Sequence, residues 1–291
     1  MPNVSLEPIV PRTMSSPVAP AASVAKPPPR IALVLGGGGT RGFAHIGVIK
    51  QLESQGIVPS IIVGTSAGAV VGALYARGYS GLELHQIAIN MEEEHVVDLA
   101  WLNYKPVALM LSPIDGTALE LFINRNVQNY PMEKLPRKLA VVATDQHSGE
   151  MIVFERGDTG RAVRASSSVP GVFRPVLISG RYYVDGGLVR PVPVSVARSL
   201  GADFVVAVDI SSDPRNSDVT TRVDELLQTF NIMIKTINRY ELQGADIVIR
   251  PNTSNVDQTT LSGRHQAVLE GEKAVREILP ALIPKLSRLR E

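Results

Sequence analysis

The chain has 291 residues, of which 44% are hydrophobic and 20% charged, and its formal net charge is +1 at pH 7. This balance excludes nucleic acid as the main partner, because nucleic-acid binding needs a concentrated basic surface. The chain has no cysteine, and none of its five histidines shows zinc-hydrolase spacing, so we expect no thiol chemistry, no metal and no other cofactor.

The first 30 residues differ in composition from the rest of the chain. They contain eight of the 21 prolines and no periodic apolar face. This composition predicts a disordered, partly polyproline-II tether over residues 1–30, followed by one domain over residues 31–291. The tether lacks the apolar core of a signal peptide. The default expectation is therefore a cytoplasmic protein, or a periplasmic or membrane-tethered one if an export signal has been removed.

From residue 31 onward, short apolar runs alternate with helical patterns. The runs predict strands at residues 31–35, 60–63, 139–144, 151–155, 204–210 and 246–250. Helices are predicted at residues 44–55 and 67–76, and a third runs from a capping box at Ser80 and Glu83 to about Asn90. This alternation favours an α/β fold with a mainly parallel central sheet. Residues 91–135 are the least regular and are interpreted as a cap or a mouth over a site.

Four consecutive glycines, residues 36–39, separate the first strand from the first helix, and Thr40, Arg41 and Gly42 follow them. The glycine spacing fits a dinucleotide fingerprint, but no acidic residue ends the second strand and no Walker lysine is present. The remaining interpretations are a sharp turn and an anion cradle built from backbone N–H groups at a helix N-terminus. Arg41 then either adds a full positive charge beside the bound anion or forms a surface salt bridge.

Residues 64–68 read Gly-Thr-Ser-Ala-Gly and fit the nucleophile elbow G-x-S-x-G between a strand and a helix. The pattern favours Ser66 as a nucleophile over a plain turn, with Gly64 and Gly68 removing side chains that would clash. A serine needs a base. Only His265 stands far enough downstream for the usual Ser–acid–His order, and a capping or solvent-facing role suits it better.

Asp185 follows an apolar stretch and is itself followed by Gly186 and Gly187. An Asp-Gly pair is foremost a turn signal. An aspartate at a strand end can also lie beside the end of another strand and accept the Ser66 proton directly. Partial burial would raise the pKa of such a carboxyl and make it a better base.

Apolar residues recur at helical spacing between residues 223 and 240. Core packing is the preferred interpretation of this stripe, because its polar face mixes acidic and basic residues. Docking on a lipid surface is the alternative.

Four blocks of the chain together resemble the patatin-like phospholipases in order and approximate spacing. They are residues 37–42, residues 64–68, residues 164–171 (Arg-Ala-Ser-Ser-Ser-Val-Pro-Gly) and residues 185–187. The match extends over about residues 30–290, and Gly187 stands where many members have alanine. The resemblance implies a three-layer α/β/α fold and a dyad of Ser66 as nucleophile and Asp185 as base. It also implies an oxyanion hole formed by the N–H groups of Gly37, Gly38 and Gly39.

The function implied by the resemblance is hydrolysis of a phospholipid or another acyl ester through an acyl-enzyme, with peripheral contact to a membrane surface. The resemblance also implies motif or substrate-binding roles for Thr40, Arg41, Gly42, Gly64, Gly68, Gly186 and Gly187. Acyl transfer to an acceptor other than water uses the same intermediate and stays open. The alternatives are a catalytically idle lipid-binding scaffold and a Ser–His–Asp esterase that uses His265.

Overall fold

A computed structural model describes residues 28–91, 114–216, 219–254, 256 and 263–289. Most of the predicted tether and most of the predicted cap, namely residues 1–27 and 92–113, lie outside the described residues. Among the described helices, none has both the length and the hydropathy needed to cross a membrane.

A twisted sheet of eight strands forms the centre of the described fold. The strands are β1 (Ile31–Leu35), β2 (Ile61–Thr65), β3 (Lys138–Asp145), β4 (Met151–Phe154), β5 (Val176–Ile178), β6 (Arg181–Asp185), β7 (Phe204–Val208) and β8 (Ile247–Ile249). Their order is β5-β6-β3-β2-β1-β7-β8, and β4 also pairs with β3. The five neighbouring strands β3, β2, β1, β7 and β8 are parallel to one another, whereas β4 and β6 are antiparallel to β3.

Helices cover both faces of this sheet. They are α1 (Phe43–Ser54), α2 (Ala67–Arg77), α3 (Gly81–Ile89), α4 (Thr117–Asn126), α5 (Thr159–Ser166), α6 (Val194–Ser199), α7 (Arg222–Glu241) and α8 (Arg264–Arg288). Alternate residues of β1 enter two separate cores: Leu33 packs with α1, α2 and α8, while Val34 packs with α6. Burial on both faces explains why the central strands are continuous apolar runs. The three-layer α/β/α fold with a mainly parallel sheet is therefore confirmed.

The predicted strands and the first three helices are all present, with small shifts at their ends. The capping box at Ser80 and Glu83 begins α3 as expected. The hairpin of β5 and β6 and the helices α4 and α6 were not predicted. These elements are short, so the sequence contains too few turns or alternations of each to reveal a period.

The interpretation of the stripe on α7 as core packing is wrong. The side chains of Leu226, Met233 and Tyr240 are 40%, 44% and 68% exposed. Helix α7 does not pack flat against the sheet. It lies beside the turn at residues 186–188, so one edge of its apolar stripe faces a cavity and the other edge faces solvent.

Candidate active site

Two parallel neighbours, β1 and β2, bring the glycine loop and the elbow to the same edge of the sheet. Leu35 pairs with Gly64 in register, so the residues that follow each strand leave the sheet side by side. The carboxyl edge of an open parallel sheet is where ligands bind in α/β folds.

The sheet register also places Asp185 near Ser66. Thr65 at the end of β2 pairs with Val142 of β3, and the next residue of β3, Ala143, pairs with Asp185 of β6. The position of Ser66 is thus level with Asp185, with β3 between their two strands. Side chains from both positions converge on one cavity.

Ser66 occupies a strained turn between β2 and α2. Its backbone has φ 53° and ψ −122°, which is costly for a residue with a side chain. A Cβ atom on Gly68 would lie 2.0 Å from the carbonyl oxygen of Leu35, so only glycine allows α2 to start this close to β1. The strained turn presents the Ser66 hydroxyl at the N-terminus of α2, as the elbow motif predicts.

A second serine, Ser166, holds this strained turn in place. Its buried hydroxyl accepts a 2.8 Å hydrogen bond from the Ser66 N–H and donates a 2.6 Å bond to the carbonyl oxygen of Val142. In the sequence, Ser166 is the first of three consecutive serines, a pattern typical of caps and turns. Three serines in a row at a helix end do not reveal which of them reaches another strand.

The carboxyl group of Asp185 is almost completely buried, at 6% exposure for the residue. Burial raises its pKa from 3.8 to about 6, while the Ser66 hydroxyl and the Gly187 N–H, 2.6 Å from Oδ1, act to lower it. The second oxygen, Oδ2, has no partner of full hydrogen-bond geometry among the described residues. Catalytic hydrogen bonds are often long before substrate binds. The contact between Asp185 and the Ser66 hydroxyl therefore suits a base that accepts the Ser66 proton only when substrate is bound.

Two backbone N–H groups of the glycine loop donate hydrogen bonds to carbonyl oxygens of the described residues, and two do not. The N–H of Gly36 donates to Val208 O at 3.1 Å, and that of Gly37 donates to Pro191 O at 3.0 Å. The N–H groups of Gly38 and Gly39 have no acceptor within the described part of the chain. Of the three N–H groups predicted to form an oxyanion hole, that of Gly37 anchors the loop to Pro191, and those of Gly38 and Gly39 remain available to a ligand.

Arg41 and His45 follow the glycine loop, and Arg41 is half-buried whereas His45 is fully buried. Arg41 donates from Nε to the carbonyl oxygen of Ile210 at 2.8 Å, and burial lowers its pKa to about 10, so it stays cationic at neutral pH. It lines the cavity that also contains Ser66 and Asp185.

The imidazole of His45 bonds through Nε2 to Gly36 O at 2.8 Å, and burial lowers its pKa to about 4. A neutral, fully buried ring that donates to a backbone carbonyl fits a role in packing.

His265 lies at the start of α8, where it stacks on His85 of α3 with ring centroids 5.7 Å apart. It does not line the cavity that contains Ser66 and Asp185. This geometry provides no support for the Ser–His–Asp alternative.

A cavity of about 430 Å³ joins these groups. The predicted site residues that line it are Gly37, Gly38, Gly39, Thr40, Arg41, Ser66, Asp185 and Gly187. Phe230, Asn231 and Ile234 of α7 form the opposite wall. Gly42, Gly64, Gly68 and Gly186 do not line the cavity and shape the backbone around it. Within the described ranges, no cluster of three or more histidine or acidic residues could hold a metal ion.

Comparison with known proteins gives one family. The family model described as "Patatin-like phospholipase" matches residues 33–198, more than half of the chain. The chain is 37% identical over 204 residues to patatin-like phospholipase domain-containing protein 6 of Mus musculus, and 34% identical over 183 residues to an uncharacterised NTE family protein of Mycobacterium bovis.

These alignments use 67% and 63% of this chain, and they span only 14% of the mouse protein and 49% of the mycobacterial one. Among solved structures, VipD from Legionella pneumophila is similar in fold, with a TM-score of 0.52 at 16% identity. That superposition covers 88% of this chain and 68% of VipD.

Proposed function

This chain belongs to the patatin-like phospholipase family, and on that premise we propose that it hydrolyses lipid acyl esters with Ser66 as nucleophile and Asp185 as base. One observation carries the proposal. A strained serine, a buried carboxyl with a raised pKa and two uncommitted N–H groups line the same cavity. Family membership makes a lipid ester the expected substrate class.

In the first step, Asp185 accepts the proton of the Ser66 hydroxyl while the Ser66 oxygen bonds to the ester carbonyl carbon. The carbonyl oxygen becomes an oxyanion, which receives hydrogen bonds from the N–H groups of Gly38 and Gly39. One such donor contributes roughly 2.7–4 kcal/mol to lowering the barrier. The bond to the alcohol then breaks, and the alcohol leaves with the proton held by Asp185.

In the second step, the free carboxylate of Asp185 accepts a proton from water while the water oxygen attacks the acyl-serine. The same two N–H groups stabilise the second oxyanion. The fatty acid leaves and Ser66 recovers its proton from Asp185. An alcohol in place of water gives acyl transfer by the same sequence of steps.

Two further features suit a lipid substrate. The guanidinium of Arg41, cationic and in the cavity wall, attracts an anionic part of the substrate such as a phosphate. Helix α7 carries three exposed apolar side chains, Leu226, Met233 and Tyr240, which are called the α7 stripe from here on. They follow one another at intervals of seven residues, so they lie along one exposed edge of the helix. Peripheral contact of this stripe with a lipid surface brings the cavity mouth to the substrate.

The decisive experiment is labelling with a fluorophosphonate probe, which forms a covalent bond with an activated serine. We expect labelling of the wild type and of Ser212→Ala, which removes another serine of the same cavity, and none of Ser66→Ala. Product analysis with defined phospholipids and short acyl esters then identifies the bond cleaved. Labelling that survives in Ser66→Ala contradicts the dyad, and a folded wild type without labelling favours the idle scaffold.

A further inference from the structure

A second, apolar cavity lies beside the glycine loop on the side away from Asp185. It is a narrow slot of about 50 Å³ between α1, α2 and α3. Its walls include Ile46 of α1, Val70 of α2, and Leu84 and Ala88 of α3. All of its lining residues except Thr40 are apolar, and none carries a charge.

The slot is connected by shared residues to the groups proposed for catalysis. Gly39 and Thr40 line both cavities, and Ala67, the residue after Ser66, lines the slot. The same short stretch of backbone therefore separates the slot from the cavity with Asp185. Ser66 itself lines the cavity with Asp185 and its chain neighbour Ala67 lines the slot, so the start of α2 lies at the boundary of the two.

The proposed chemistry decides which part of the substrate lies in each cavity. The leaving alcohol must receive a proton from Asp185, so it has to lie in the cavity that Asp185 lines. The acyl chain is on the other side of the carbonyl carbon. It therefore points towards the apolar side of the glycine loop, where burial of methylene groups is favourable.

We propose that the slot between α1, α2 and α3 binds the fatty acyl chain of the substrate. The inference rests on the proposed function and adds the location of the acyl site and its class of ligand, a single unbranched chain. Residues of α3, outside the motifs of the family resemblance, then set the chain length that the enzyme accepts.

The test measures kcat/KM for p-nitrophenyl esters from butyrate to palmitate with the full chain. Ala88→Phe and Ile87→Trp fill the slot, one from a buried and one from a half-buried position of α3. Each methylene kept out of an apolar site lowers kcat/KM about fourfold. We expect at least a tenfold loss with the decanoyl ester for both variants and a change of less than about threefold with the butyryl ester.

Two matched controls separate the slot from its surroundings. Ile89→Trp adds the same indole to α3 at an exposed position that does not line the slot, and its chain-length profile should equal that of the wild type. Ile234→Trp narrows the cavity with Asp185 and should lower kcat/KM equally for all chain lengths. Thermal unfolding of each variant reports whether the fold is intact.

The inference is overturned if folded Ala88→Phe and Ile87→Trp keep the wild-type profile, or lose activity equally at every chain length. It is also overturned if Ile234→Trp alone imposes a chain-length limit, because the acyl chain then lies in the other cavity. Failure of the proposed function has a different signature, which is butyryl ester hydrolysis that is absent or that persists in Ser66→Ala.

Discussion

Asp185 has to satisfy two opposing demands. A base must be ionised to accept a proton, yet this carboxyl is buried where ionisation is costly. The N–H of Gly187 and the hydroxyl of Ser66 offset only part of that cost, so its pKa stays near 6. The proposed catalytic role therefore requires Asp185 to be charged, whereas the fold is more stable when Asp185 is neutral.

The raised pKa of Asp185 predicts a pH dependence with a definite sign. As a base it must be deprotonated, so kcat/KM for a butyryl ester should rise with pH through about 6 and then level off. Asp185→Asn should lower kcat by about 10³-fold or more, because no group remains to accept the proton. A flat profile between pH 5 and 8, or an active Asp185→Asn, would contradict the role.

The same shift makes a prediction about stability. The folded-state pKa of Asp185, about 6, lies above the ordinary 3.8, so its contribution is fully present below pH 3.8 and is lost as the pH rises through 6. Asp185→Asn should thus raise the free energy of unfolding by on the order of 3 kcal/mol at pH 8, and by less at pH 5. Urea unfolding at both pH values measures this free energy.

Asp145→Asn is the control, because its effect on the free energy of unfolding should have the opposite sign. Hydrogen bonds from the N–H groups of Ser148 and His147 hold the pKa of Asp145 below its ordinary value.

Helix α7 shows how one amphipathic pattern can have a purpose other than core packing. The apolar residues of α7 are spaced as regularly as those of a buried helix. The two edges of this apolar face have different surroundings. Phe230 and Ile234 close the cavity, while Leu226, Met233 and Tyr240 are open to solvent. An exposed apolar edge at the mouth of a cavity that contains the proposed nucleophile is the surface expected to meet aggregated lipid.

The α7 stripe predicts a difference between dissolved and aggregated substrate. Met233→Asp combined with Tyr240→Asp should reduce binding to phosphatidylcholine vesicles about tenfold, because two apolar side chains are replaced by charges. Hydrolysis of a dissolved butyryl ester should be unchanged. Thr229→Asp combined with Thr236→Asp adds the same charge at exposed polar positions of α7 and is the control. Vesicle cosedimentation measures the effect, and equal losses for both pairs would count against the stripe.

Across the whole molecule, the candidate site is assembled from segments far apart in the chain. The glycine loop follows β1, the elbow follows β2, and Asp185 ends β6, which reaches them only by pairing with β3. Arg30, just before β1, ties the start of the described fold to Asp203 with a 2.8 Å bond from its N–H.

The proline-rich composition of residues 1–27 predicts that this segment contributes little to the stability of the fold. Deleting residues 1–27 should shift the midpoint of thermal unfolding by less than about 2 °C and kcat/KM for a butyryl ester by less than about twofold, because such a segment buries little apolar surface. A deletion of residues 1–35, which also removes the central strand β1, should abolish folding and serves as the contrast. A large loss with the shorter deletion would show that the domain begins before residue 28.

Local patterns were sufficient for several parts of this protein. The apolar runs of β1 and β2, the glycines after them and the capping box of α3 depend on interactions between near neighbours in the chain, so they are visible in its order of residues. The α/β fold class follows from the alternation of such elements. The proposal of Ser66 and Asp185 rested on four motifs read together, since no local rule links two residues more than a hundred positions apart.

Other features depended on contacts between distant segments and could be found only in three dimensions. The Gly37 N–H is occupied by Pro191, the Ser66 N–H is held by Ser166, and α7 faces a cavity. Hydrogen-bond partners across strands, and the surroundings of a helix face, are set by how the sheet is ordered and covered. The chain order therefore determined which groups the site contains, and the packing of β3, β6 and α7 decided which of them are free to act.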